Sequence, residues 1–303
     1  MPLKKALARK SEFIAAFIPL PAILLGVLAM VRHQVSPVLW GQQVAAAVLF
    51  TMILWVSHAA VLRVPRAAWA AALVLPLFAV FAFPAAGGAR RWIDLGLLNV
   101  NAAMLTLPAL LMVLSGMERP LPALLLAAAA LCLQPDLSQL TALTFGALPI
   151  LFHPRRKPLL SSVVLALLLG LCFLCAARPV SLEPLDYCEG VLDLLDGVSP
   201  ALYAAGALSL ILIPLFFLFY FVCQGSAALL SLAAYYAAAI LLGVTGVYPT
   251  PFMGFGLSPI AGYFLALLLL RALHTDHGAA RLVLYANRMV KCHQQHPERS
   301  DRP

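Results

Sequence analysis

Along the chain, apolar residues run in long stretches broken by short polar, proline- or glycine-bearing segments. Stretches of about 15–25 such residues are long enough to cross a bilayer as helices. Ten are present, near residues 12–31, 40–62, 67–86, 101–117, 120–134, 138–152, 158–177, 200–223, 226–244 and 258–273. The fifth and sixth are the shortest. The pattern predicts an all-α, polytopic membrane bundle of about ten transmembrane helices over residues 1–273, followed by a basic cytoplasmic tail, 274–303.

Composition closes off the alternative of a soluble fold. The 303 residues are 63% hydrophobic and 11% charged, against roughly 45–50% and about 25% in soluble domains. The 23 prolines suit spanning helices with kinks and short stiff connections. The first run, after the basic MPLKKALARKSEF, exceeds the 7–15 residues of a signal-peptide core and lacks a small-residue cleavage site, so an uncleaved first span is expected.

The net charge of +8 then reads as topology rather than as nucleic-acid binding; no glycine-rich phosphate loop follows a strand, and no nucleic-acid partner is expected. With ten spans and both termini cytoplasmic, the 20 Lys and Arg residues divide sixteen inside to four outside (Arg32, Arg90, Arg91 and Arg178). That is a strong positive-inside bias. The acids lean outward: Asp94, Asp136, Glu183, Asp186, Glu189, Asp193 and Asp196 all fall outside.

Several candidate chemistries weaken on inspection. The Cys172-x-x-Cys175 pair lies within an apolar span without an acid or histidine nearby, as buried structural cysteines do. His274, His277, Cys292 and His296 have loose zinc-like spacing in a tail that is expected to lie along the anionic inner leaflet from Ala279 to Lys291 and to be disordered from His293 onward. His58, inside the second span, suits packing against Ser57 better than a proton relay.

Residues 88–96, GARRWIDLG, place Arg90 and Arg91 outside, against the general rule. Two readings stand. The pair snorkels at a helix end with Trp92 as interfacial anchor, or it binds an anion, since forked guanidinium donors meet two phosphate oxygens at once. Residues 249–256 hold Pro249, Pro251, Gly254 and Gly256 and read as a broken helix start with exposed amides, which implies a cavity near the outer ends of the spans.

Three stretches carry a family resemblance. GARRWIDLG resembles the G-x-R-W-I-x-L-G segment of the SEDS proteins (shape, elongation, division and sporulation; the FtsW/RodA/SpoVE group). LQPDLSQ at 133–139 resembles their Q-P-D-L-G-T, and VTGVYPTPFMGFGLSP at 244–259 their V-T-G-x-x-L-P-F-x-S-Y-G-G-S-S with one extra residue. The resemblance implies a ten-span peptidoglycan polymerase of the bacterial inner membrane, acting on lipid-linked disaccharide-pentapeptide beside a single-span class B penicillin-binding protein. It marks Arg90, Arg91, Trp92, Asp136, Pro251, Gly254, Gly256 and Ser258 as substrate-binding residues, and Glu189 as the counterpart of the family's proposed catalytic aspartate. The chain also departs from the pattern. The family's Q-P-S-E-x-x-K becomes Asn101, Ala102, Ala103, Met104 and Leu107; the motif threonine becomes Gln139; the double glycine becomes Gly256-Leu257; and the region around the seventh span is short.

In the external stretch DYCEGVLDLLDG, residues 186–197, Glu189 would serve as general base toward a sugar hydroxyl. If helical, Glu189, Asp193 and Asp196 stand at i, i+4 and i+7 on one face, which is either a site for a divalent cation such as Mg²⁺ beside a diphosphate or a solvated acidic face. Asp136 is either a helix-end residue or a site-lining acid. Three functions are carried forward: a polymerase, a catalytically inactive scaffold or regulator of wall synthesis, and a flippase for the lipid-linked precursor.

Overall fold

The computed structural model describes residues 14–56, 64–96, 98–178, 180 and 184–271. His58, Glu183 and the histidine- and cysteine-bearing tail lie outside the described residues. Within them, ten apolar helices follow the ten sequence runs in order. They are α1 (Ile14–Arg32), α2 (Pro37–Val56), α3 (Arg66–Ala79, continued by the 3-10 turn Val80–Ala82), α4 (Ala102–Ser115), α5 (Leu121–Leu133), α6 (Leu137–Leu151), α7 (Pro158–Ala176), α9 (Pro200–Gln224), α10 (Ala227–Gly243) and α11 (Ser258–Arg271). Between α7 and α9 lies α8 (Val191–Val198), a short amphipathic helix. The chain is a multi-pass helical membrane protein.

The helices fall into two kinds. Four of them, α1, α2, α7 and α9, have 19 to 25 residues; the other six are shorter. Length follows position. The long α2 buries four of its 20 residues and α7 four of its 19, leaving side chains such as Val56, Leu159 and Phe173 on an apolar outer surface suited to lipid. The short α4 buries twelve of 14. A 14-residue helix spans about 21 Å, less than the ~30 Å hydrocarbon core of a bilayer. For α4 this is possible because protein, rather than lipid, surrounds it.

Lipid supplies no hydrophobic drive between helices, so close approach through small residues must hold the bundle. Gly262 on α11 shows how close: a Cβ there would sit 2.1 Å from the Met104 carbonyl oxygen of α4. The helix starts are set by local chemistry. Asn101 caps α4 by accepting the Met104 amide at 3.0 Å, Asp136 caps α6 through the Gln139 amide, and Ser199 precedes Pro200 at the start of α9. Pro76, Pro108, Pro149 and Pro214 sit inside helices, as the proline count suggests.

One element is additional to the all-α expectation. Residues 92–101 form an antiparallel hairpin, β1 (Trp92–Asp94) and β2 (Asn99–Asn101), with Trp92 opposite Asn101 and Ile93 opposite Val100. Asp94 Oδ1 accepts the Gly96 amide at 2.8 Å, and Gly96 takes φ +81°, a turn that glycine adopts without strain. The hairpin, the 134–136 turn, the 184–199 segment and the 244–257 segment all lie at one end of the up-and-down bundle, called here the hairpin end.

Gly262→Ala is expected to cost about 1–3 kcal/mol through overpacking, read as a lower melting temperature in detergent. Gly170→Ala on α7, where an added Cβ meets nothing within 4 Å, leaves it unchanged.

Candidate functional site

The two arginines of GARRWIDLG part company. Arg90 is exposed and donates through Nη1 to the Phe81 carbonyl at 2.9 Å, closing the end of the 3-10 turn after α3. Arg91 is buried and turns toward α6, where its Nη2 donates to the Pro135 carbonyl at 2.5 Å and its Nε stands 3.8 Å from Asp136 Oδ2. The adjacent guanidinium groups thus have separate partners. Trp92 is half-buried in β1. The return strand is seated on the start of α11, because the Asn101 amide donates to Ser258 Oγ at 2.8 Å with both residues buried.

Glu189 lies in the turn before α8, half-buried, so it does not share a helix with Asp193 and Asp196. Its Oε2 accepts the Leu185 amide at 2.8 Å. Asp193 and Asp196 are exposed, while Val191, Leu192 and Leu195 on the other side of α8 are buried. The three carboxylates therefore do not make one acidic face, and among the described residues no three His, Cys, Asp or Glu side chains are grouped to hold a metal ion. They do not fit a protein-built metal cage.

The turn that carries Glu189 is fastened to the 244–257 segment. Thr250 N donates to the Cys188 carbonyl at 3.1 Å, Phe255 N to the Tyr187 carbonyl at 2.9 Å, and Thr250 Oγ1 to the Glu189 carbonyl at 3.4 Å. Tyr187 and Phe255 meet edge to face. Residues 250–254, Pro251 and Gly254 included, are buried. This is irregular backbone inside the protein, and Gln43 from α2 satisfies it by donating to the Phe252 carbonyl at 2.6 Å and the Gly254 carbonyl at 3.3 Å. The Gly254 amide, expected to be exposed, is taken by Thr250 O. A Cβ on Gly254 would stand 2.2 Å from the Cys188 carbonyl oxygen, so the approach of the two segments requires glycine. Gly256, at φ +142°, occupies backbone space that L side chains rarely adopt.

Electrostatics ties these parts together. Burial pushes the Glu189 carboxyl above the usual carboxylate range, opposed by the Leu185 amide, its own backbone amide, the Cys188 thiol and the positive charge of Arg91. Burial likewise raises the neighbouring Cys188 thiol, and the Glu189 charge adds to it. Tyr248 is raised by burial, lowered by Arg91 and raised by Asp136. Arg91 thus bears on both Glu189 and Tyr248, and Asp136 on Tyr248, at the hairpin end. Tyr248 was missed by sequence reasoning; it sits within VTGVYP, where a phenol one residue before a proline gives no periodic signal.

No protein-family model and no curated protein matches the chain. Solved structures do. A chain from a structure describing the structural coordination of polymerization and crosslinking by a peptidoglycan synthase complex superposes with a TM-score of 0.59 at 17% identity, over 86% of this chain and 97% of that one. The rod shape determining protein RodA of Thermus thermophilus superposes with a TM-score of 0.52 at 22% identity, over 86% and 96%. At these identities the likeness establishes architecture. The chain is a polytopic membrane protein with the fold of RodA, the fold that the three motifs imply.

Gly254→Ala is expected to displace the Glu189 turn. In a variant whose sole cysteine is Cys188, a membrane-impermeant maleimide should label the Gly254→Ala protein faster than the parent, with about 1–3 kcal/mol of lost stability from the added methyl.

Proposed function

We propose that the chain is a SEDS relative that polymerises glycan from a lipid-linked disaccharide-pentapeptide in the bacterial inner membrane. Arg91 holds the diphosphate of the donor lipid, and Glu189 is the catalytic base. The observation that carries this reading is the way the two segments are fastened: the Glu189 turn is bonded to residues 250–255, Ser258 just beyond them accepts the Asn101 amide, and the Ala102 amide donates to the Arg91 carbonyl at 3.2 Å. A cation for the leaving group and a carboxylate for the nucleophile at the same end of the bundle are what glycosyl transfer to a hydroxyl needs.

The step balances as follows. The Glu189 carboxylate removes the proton of the acceptor hydroxyl as its oxygen bonds to the anomeric carbon of the donor. The bond from that carbon to the diphosphate oxygen breaks, its electron pair stays on the diphosphate, and the Arg91 guanidinium offsets the growing charge. Polyprenyl diphosphate leaves, and Glu189 returns its proton to water. Any divalent ion would be held by one carboxylate and the substrate phosphates, and no step depends on it. The likeness to a chain of a peptidoglycan synthase complex supports a single-span class B penicillin-binding protein as partner.

A second reading, a catalytically inactive scaffold of wall synthesis, is favoured by one observation. Met104 and Leu107, where the family motif has a glutamate and a lysine, are buried among apolar side chains of α4, so the intramembrane ion pair is absent from those positions.

Purified protein with its partner and labelled lipid-linked precursor separates the two. Polymer from wild type and a loss of about 10²–10⁴-fold in Glu189→Gln is the expected result; no polymer from wild type overturns the polymerase reading. Because the base must be ionised and its pKa is raised, activity is expected to rise with pH through a midpoint above that of an ordinary glutamate, about 4.3. An acid limb at or below that value would contradict Glu189 as base.

A further inference from the structure

Asp136 makes two kinds of contact with its two oxygens. Its Oδ1 accepts the Gln139 amide at 3.2 Å and the Ser138 hydroxyl at 2.9 Å, fixing it at the first turn of α6. Its Oδ2 faces Arg91 Nε at 3.8 Å. Both of those atoms are buried and neither has a hydrogen-bond partner. The pair is thus held by charge at a separation too long for a hydrogen bond, and the Asp136 side chain is 1% exposed.

Arg91 is held along one edge. Nη2 is on the Pro135 carbonyl and Nε faces Asp136, so the plane of the guanidinium is set by the rigid, capped turn that joins α5 to α6. A guanidinium whose plane is fixed presents its remaining donors to two phosphate oxygens with little entropy left to lose. A carboxylate in direct contact with a diphosphate would repel it; one behind the guanidinium orients the cation.

We infer that Asp136 is a positioning residue: bound to the start of α6 through one oxygen, it holds Arg91 with the other so that the guanidinium receives a diphosphate anion. The inference rests on the reading of this end of the bundle as a diphosphate site. It separates two roles of one side chain. Asparagine caps helices as well as aspartate does, so Asp136→Asn retains the α6 cap and removes only the charge that faces Arg91.

The test is a double-mutant cycle on the full chain in nanodiscs, with undecaprenyl diphosphate as probe and undecaprenyl phosphate as control. Asp136→Asn is expected to weaken diphosphate binding about tenfold, in the range found for coupled neighbouring groups, with an unchanged melting temperature. Arg91→Gln weakens it at least as much. Asp136→Asn added to Arg91→Gln costs nothing further, and Asp136→Glu recovers part of the loss. Should Asp136→Asn lower the melting temperature, Asp136→Ser, another capping residue without charge, carries the same cycle. Wild-type affinity in Asp136→Asn, or losses that add in the double variant, overturn the positioning role. A wild type that does not bind the probe overturns the diphosphate reading together with the inference. A wild type that binds, shows the cycle and makes no polymer refutes only the polymerase reading and leaves the positioning role standing.

Discussion

Every backbone carbonyl left open in an apolar medium needs a donor, and this chain supplies several of them with long polar side chains. Arg66 donates to Gly116, Arg156 to Glu118 and Met117, and Arg271 to Leu54 at one end of the bundle. Arg90 donates to Phe81, Arg91 to Pro135 and Arg178 to Cys132 at the other. Gln134 closes on Leu77 and Gln43 on the 252–254 backbone. A lipid-embedded protein cannot leave such groups to water, so its sparse polar residues are spent on helix ends, and the helix ends determine where the connecting segments run.

The site follows from that arrangement. Its side chains sit on connections rather than on spans, and the connections are bonded to one another and to helix starts: β2 to the start of α11, Arg91 to the α5–α6 turn, the Glu189 turn to residues 250–255. A carbonyl-closing arginine and an anion-binding arginine are chemically alike, and on the proposed reading Arg91 would be both: the carbonyl that needs closing would fix the cation that a diphosphate needs.

The spans were legible in the sequence because lipid imposes one rule, a minimum apolar length, on every helix. The ten runs matched ten helices among the described residues. The three motif patches were legible as patches. What each residue does in them was less so. Arg90 and Arg91 look equivalent in a string, yet successive residues in extended chain face opposite sides, and one goes to solvent while the other enters the protein. The acidic face expected of Glu189, Asp193 and Asp196 fails because the helix begins at Val191, after Glu189 rather than before it. The hairpin at 92–101 escaped notice because two three-residue strands carry too little pattern to rise above the apolar background. Pro251 and Gly254 spoke correctly of broken helix geometry, but the donors that close it, Gln43 above all, come from more than 200 positions away in sequence.

The difference in length between the outer long helices and the buried short ones, α4 above all, has a mechanical consequence. The long helices carry much of the apolar outer surface, so a thicker or thinner bilayer acts strongly on α1, α2, α7 and α9, whose tilt can absorb the mismatch. The inner helices, and the interlinked connections above them, feel that strain only through their neighbours. Side chains mounted in this way are sprung from the surrounding membrane, as an instrument is from the floor it stands on.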